Sequence, residues 1–217
     1  MFTKALVPLD GTEISEGIIP FITQLARGLE MGVVLATAVQ LDARLITYLD
    51  RMADNLAEPV TGRDPGDRPA ASDQLKESLA REIKSRLDGL ADRMALEGIP
   101  TETRVDFGRP SETIIRMAQD SECDLIAMST RGRITLASGL LGSVAYNIIH
   151  ELPIPVLVIA LERAKLHWDT DYGISNVIIP LDGSEFAESV LPYAASLSRK
   201  MDMGVTLVQV LSQDEFI

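Results

Sequence analysis

Along this chain, short apolar runs alternate with longer stretches in which apolar residues return every three or four positions. Residues 5–9 form the first run, which ends at Asp10-Gly11 as a buried parallel strand entering a turn does. Thr12 can cap a helix start, and Ile14, Ile18, Phe21, Ile22, Leu25 and Leu29 keep helical spacing over 13–31. That spacing predicts one helix with an apolar face, ended by Gly32, before strand character returns over 33–39. Such a strand, helix, strand unit has parallel strands and a right-handed crossover. Residues 41–73 read as an insertion: Leu45, Leu49, Met52 and Leu56 have helical spacing, and the polar, turn-rich EPVTGRDPGDRPAASD comes after them. Leu75, Leu79, Ile83, Leu87, Leu90 and Met94 then mark the clearest helix, opening at Ser72 or Asp73 and closing at Gly98 and Pro100. A strand at 101–107, a helix at 111–120, a strand at 124–129, a glycine-punctuated loop, a helix near 142–150 and a strand at 155–160 complete the series. The alternation predicts an α/β fold, a doubly wound parallel sheet with helices on both faces.

The opening pattern returns. "ALVPLDGTE" at 5–13 and "VIIPLDGSE" at 177–185 share a register, the offset being the 172 residues from Asp10 to Asp182. Without a gap, 4–45 lies on 176–217, and roughly a third of the positions agree, more than unrelated units of this kind share. Pro8, Asp10, Gly11, Pro20, Met31 and Gly32 are among those that recur. The expected organisation is a full domain at 1–160 with its insertion at about 41–73, a linker at 161–175, and an incomplete second repeat at 176–217. About 40 residues is near the lower limit for folding unaided, so that partial copy is expected to lean on the first domain, on a second chain or on further residues.

Composition narrows the function classes. A formal net charge of −12 and a pI near 4.6 repel nucleic acid and anionic membrane surfaces. Cys123 is the only cysteine, so the chain forms no internal disulfide, and two histidines leave few ligands for a zinc site. The first residues lack a signal-peptide pattern, and no apolar run approaches the ~20 residues needed to span a bilayer. The expectation is a soluble, cytoplasmic protein without a structural metal.

The stretch "MSTRGRITLASGLLGSVAYNII" at 128–149 carries the candidate chemistry. It leaves an apolar strand, crosses a loop containing Gly132 and Gly139, and enters a helix at Gly142-Ser143. Backbone N–H groups freed at a helix start, with the positive dipole end, suit phosphate oxygens, and glycines permit close approach. Arg131 and Arg133 could add counter-charge. An ordinary strand-to-helix loop with a capping serine reads the same way, so spacing alone leaves both open. In an open parallel sheet, ligands sit beyond the strand carboxyl ends where the winding reverses, which would bring Asp10 and Met128-Ser129 to one crevice. Neither GxxxxGK[ST] nor a GxGxxG after the first strand occurs.

"LVPLDGTE", the run "DLIAMSTRGRITLASGLLGSVAYNIIHELPIPVLVI" and the duplication together resemble the universal stress protein family in its tandem-domain form. That family's nucleotide-binding branch has a loop of glycine, two residues, glycine, nine residues, glycine, then serine or threonine. Gly132, Gly142 and Ser143 fit this pattern, whereas its first glycine is Ser129 here, a side chain where backbone would lie against ribose or phosphate. The resemblance implies a five-stranded parallel sheet of order 3-2-1-4-5, adenine nucleotide alpha hydrolase-like, followed by a partial β-α-β copy. It also implies Pro8, Asp10 and Val39 around adenine and ribose, and Met128, Ser129, Gly132, Gly142, Ser143 and Val144 around ribose and triphosphate. ATP is the implied ligand, with Mg2+ through its phosphates, and a homodimer through 155–160 or the second repeat is the implied assembly.

Other residues have plainer readings. Aspartate before glycine stabilises a turn through its own backbone, so Asp10 has a structural role beside the ligand one. His150 sits at a helix end, where imidazole favours the dipole, and Cys123 precedes a buried strand as an inert thiol. Trp168, beside His167 in the connector, is expected to pack on one copy. No nucleophile pairs with a base, so no catalytic residue is assigned. The expected function is an ATP-binding regulatory protein of the universal stress response. The alternatives are an interaction module of the same fold that binds no nucleotide and presents 41–73, and a slow ATP-hydrolysing enzyme.

Overall fold

A computed structural model describes residues 2–56, 70–131, 142–161 and 175–209. Runs of aliphatic residues with no polar interruption make strands that can be covered on both faces, and that is how the first unit is built. Lys4–Pro8 (β1) and Gly32–Val39 (β2) lie side by side, joined through Glu13–Glu16 (α1) and Ile19–Leu29 (α2). Ala43–Leu56 (α3) and Ala71–Leu96 (α4) lead to Thr101–Phe107 (β3). Pro110–Asp120 (α5), Leu125–Arg131 (β4), Ser143–Glu151 (α6) and Val156–Leu161 (β5) complete it. All neighbours pair in parallel, in the order β3-β2-β1-β4-β5 that the resemblance implies.

Alternate side chains of each strand feed two cores. Val7, Leu35, Ile18, Ile22, Leu87 and Met94 pack on the side covered by α2 and α4. Leu6, Val34, Met117, Ile126 and Ile148 pack on the side covered by α5 and α6. The winding direction reverses between β1 and β4, so a crevice opens beyond their carboxyl ends.

The helix expected over 13–31 is two helices. Pro20 stands in the first turn of α2, where its missing N–H costs nothing but where a continuous helix would lose a hydrogen bond and meet its ring. Apolar spacing does not register that break. Nor does Gly32 close the helix: Glu30 does so in the left-handed conformation, at φ 56°. Ser72, expected to open α4, instead ties α4 to α3, its N–H and hydroxyl donating to the Asp50 carboxylate at 2.9 and 3.1 Å.

A second unit repeats the first at the offset of 172 (Asp10 to Asp182). Asn176–Leu181 (β6), Glu185–Glu188 (α7), Leu191–Met201 (α8) and Gly204–Gln209 (β7) reproduce β1, α1, α2 and β2, including the break, here with Pro192. The left-handed close recurs at Asp202, φ 52°. Gly32 N–H donates to Thr3 O at 2.9 Å, and Gly204 N–H to Ser175 O at 2.7 Å. The unit docks through α8 onto α2. Met201 lies over Gly28, Lys200 Nζ donates to Leu29 O at 2.9 Å, and the Tyr193 and Phe2 ring centres are 5.4 Å apart. Among the described residues no helix is long and apolar enough to cross a membrane. Residues 57–69, expected to be turn-rich, and His167-Trp168 lie outside the described residues.

Candidate functional site

β1 runs on past Pro8, because Leu9 N–H donates to Ala36 O and the Thr37 hydroxyl donates to Leu9 O, each at 2.8 Å. The chain then turns. Asp10 Oδ1 accepts from Thr12 N–H at 2.9 Å and from its hydroxyl at 2.6 Å, while Thr12 Oγ1 caps α1 by accepting from Ser15 N–H. Gly11 holds φ 85°, which L side chains rarely adopt. From α4, Arg86 reaches Gly11 O and Glu16, each at 3.4 Å, so the turn is held from outside as well.

Across the crevice, the Ser129 hydroxyl on β4 donates to Ile14 O at 2.7 Å. This bond joins β4 to α1. At the third corner, Gly108 at φ 149° donates to Val39 O and leads into α5, whose first turn holds Pro110. Gly142 opens α6, and among the described residues no side chain caps that end and a Cβ added there would meet nothing within 4 Å. The starts of α1, α5 and α6 thus border one cleft of about 440 Å³.

Of the residues expected at a ligand site, Pro8, Asp10, Met128, Ser129, Gly142 and Val144 line this cleft. Val39 and Ser143 do not. Strand alternation gives that face to Ala38, which lines the cleft, while Val39 contributes its carbonyl to Gly108. Ser143 is exposed on α6 and supplies no cap. Gly132 lies outside the described residues, as do Arg133 and Gly139, and nothing of the Arg131 side chain is described. Leu9, Thr12, Ile14, Ser15, Ala38, Pro110, Ile114, Thr130 and Ala145 also line the cleft. The signal for Pro110 and Ile114 was present, since a helix succeeds every strand end in this topology, but motif spacing does not reach them.

The remaining titratable candidates stand away from this chemistry. Cys123 is buried just before β4, at the amino end of the strands and away from the cleft, and burial pushes its thiol up to about 11, so it stays protonated at neutral pH. His150 donates through Nδ1 to Tyr146 O at 2.8 Å and stacks on the Tyr146 ring. No cluster of His, Cys, Asp and Glu fit to hold a metal occurs among the described residues.

The model of the universal stress protein family matches residues 1–160. The chain belongs to this family. It is 39% identical to a universal stress protein of Thermus aquaticus over 92 residues, which are 42% of this chain and 64% of that protein. It is 33% identical over 86 residues, 40% of this chain and 53% of the relative, to universal stress protein MJ0577 of Methanocaldococcus jannaschii. In both, the match spans less than two thirds of the relative's length. The solved structure of MJ0577 aligns at TM-score 0.56 and 25% identity, covering 76% of this chain and 99% of that one. A universal stress protein structure from Archaeoglobus fulgidus covers 98% of this chain and 68% of its own, at TM-score 0.67 and 20% identity, a likeness of fold.

Proposed function

We propose that the cleft binds an adenine nucleotide, ATP with Mg2+ on its phosphates, and that occupancy changes the surface this universal stress protein presents in a cytoplasmic stress response. The observation that carries this reading is the start of α6, uncapped by any described side chain, facing Asp10 and Ser129 across the cleft. The apolar walls at Pro8, Ala38, Ile114, Met128 and Val144 suit a base and a ribose, and Asp10 suits the ribose hydroxyls. Backbone N–H groups in the first turn of α6 suit phosphate oxygens. Ser129 replaces the first glycine of the family pattern, yet its hydroxyl is turned onto Ile14 O rather than filling the crevice. Among the described residues no general base is assigned for in-line attack, and the reading is of slow hydrolysis at most. Self-association belongs to the reading, because β5 is an outer strand and the second unit exposes Ile178, Phe186 and Leu207.

Calorimetric titration of Mg·ATP into wild type and Gly142→Asp tests this, with sedimentation of the same samples reporting mass. Nothing among the described residues obstructs the added side chain, and an aspartate cap stabilises the helix by a few tenths of a kcal/mol more than glycine does. Its charge occupies the place meant for phosphate. Wild type is expected to bind at micromolar Kd, about −8 kcal/mol, and the variant at least about tenfold more weakly with an unchanged fold. A folded wild type that binds nothing below millimolar would hand the fold to the reading of an interaction module without nucleotide.

A further inference from the structure

We propose that the outer face of α3 docks an acidic, amphipathic segment of a partner protein. Over 43–52, the part of α3 whose side chains are described, Ile46, Leu49 and Asp50 are the less exposed positions, and Asp50 is bonded to Ser72 of α4. Leu45, Tyr48 and Met52 form an adjoining, more exposed stripe beside Leu49, at 47%, 58% and 40% exposure. Spacings of three and four put them in one row, as apolar anchors for a helix or peptide are arranged. Arg44 and Arg51, two turns apart, run alongside, and a groove of about 400 Å³ lies among Ala43, Arg44, Thr47, Tyr48 and Arg51.

Charge selects the occupant. The chain has 32 acidic against 20 basic residues, and Arg27, Arg86, Arg109 and Arg116 each sit beside a carboxylate. Arg44 and Arg51 do not, among the described residues: Asp42 accepts from the Arg44 backbone N–H at 2.7 Å, and Asp50 is taken by Ser72. Two guanidiniums without carboxylates beside an exposed apolar row are complemented by glutamates or aspartates flanking apolar anchors. A basic segment would meet like charge there.

This inference stands apart from nucleotide binding, and its test uses the full chain without nucleotide. The probe is a fluorescein-labelled synthetic peptide with leucines at helical spacing flanked by glutamates; a second peptide has lysines in place of the glutamates. Fluorescence anisotropy should show the acidic peptide binding wild type and weakening as salt rises to about 0.5 M. Arg44→Glu/Arg51→Glu should weaken it about tenfold and favour the lysine peptide, and Tyr48→Ala should weaken it several-fold. All three sites are exposed, so circular dichroism should be unchanged. Equal binding of the acidic peptide by wild type and the double variant would overturn the proposal. So would sedimentation with phosphatidylcholine vesicles containing phosphatidylglycerol, or a self-association that the double variant abolishes.

Discussion

Asp10-Gly11-Thr12 and Asp182-Gly183-Ser184 make the same turn twice. In each, the aspartate Oδ1 accepts from the N–H two residues on at 2.9 Å and from that residue's hydroxyl at 2.6 Å. At Asp182 those bonds hold the carboxyl below its ordinary range. The turn was legible because aspartate, glycine and a hydroxyl residue satisfy one another locally. The partners of Ser129 were not, since its acceptor at Ile14 is distant in sequence and adjacent only in the fold. The two glycines separate local from tertiary cost. Both have φ near +80°, at 85° and 82°, where alanine loses about 1 kcal/mol. Among the described residues a Cβ on Gly183 would meet only Gln209 Nε2 at 3.4 Å, whereas one on Gly11 would collide with the Arg86 guanidinium. Displacing Arg86 also loses its exposed contacts with Gly11 O and Glu16, worth up to about 1 kcal/mol. Gly11→Ala is therefore expected to cost about 2 kcal/mol and Gly183→Ala about 1, read from urea unfolding. Equal losses would mean that Arg86 does not hold the turn.

At the level of elements, periodicity located the strands and most helices, since burial on a fixed face leaves a repeating trace. It missed the joint between α1 and α2, where Pro20 breaks the backbone ladder while the apolar row of Ile18, Ile22 and Leu25 continues across it. That joint lets α1 swing under β4, where the Ser129 hydroxyl fastens it at Ile14 O. The hydroxyl is thus read as a fastener between two elements. Ser129→Ala would leave Ile14 O without this donor in a half-buried setting, a loss of about 1 kcal/mol. Ser129→Gly should lose somewhat more, because glycine gains backbone freedom in the unfolded chain. If the cleft takes ATP as proposed, affinity in Ser129→Ala should stay within about threefold of wild type, under 1 kcal/mol. A larger loss with stability intact would make Ser129 a direct ligand contact.

In the molecule as a whole, the return of the strand, helix, strand pattern was legible in sequence, but the way the two units meet was not. Gly28 and Lys200 are equivalent positions, as are Leu29 and Met201. Met201 lies over Gly28 and Lys200 bonds Leu29 O, so the contact is reciprocal, as across a two-fold axis. Glycine at 28 and lysine at 200 share no chemistry that would flag the match. The packing also divides stability unequally. Both cores of the first unit close through its own helices, with Leu197 and Met201 added at the margin of one. The second unit buries only Ile179, Ala194 and Met203 among its described apolar side chains, and every residue of β7 is exposed. Its order should therefore depend on α2. Met201→Glu would replace the apolar contact of the half-buried Met201 side chain on Gly28 with a carboxylate. By hydrogen–deuterium exchange, amides of β6 and β7 should then exchange at least about tenfold faster, while those of β1, β2 and β4 keep their wild-type rates. Uniform acceleration through both sheets would instead make the two units one cooperative body, with α8 part of its single core.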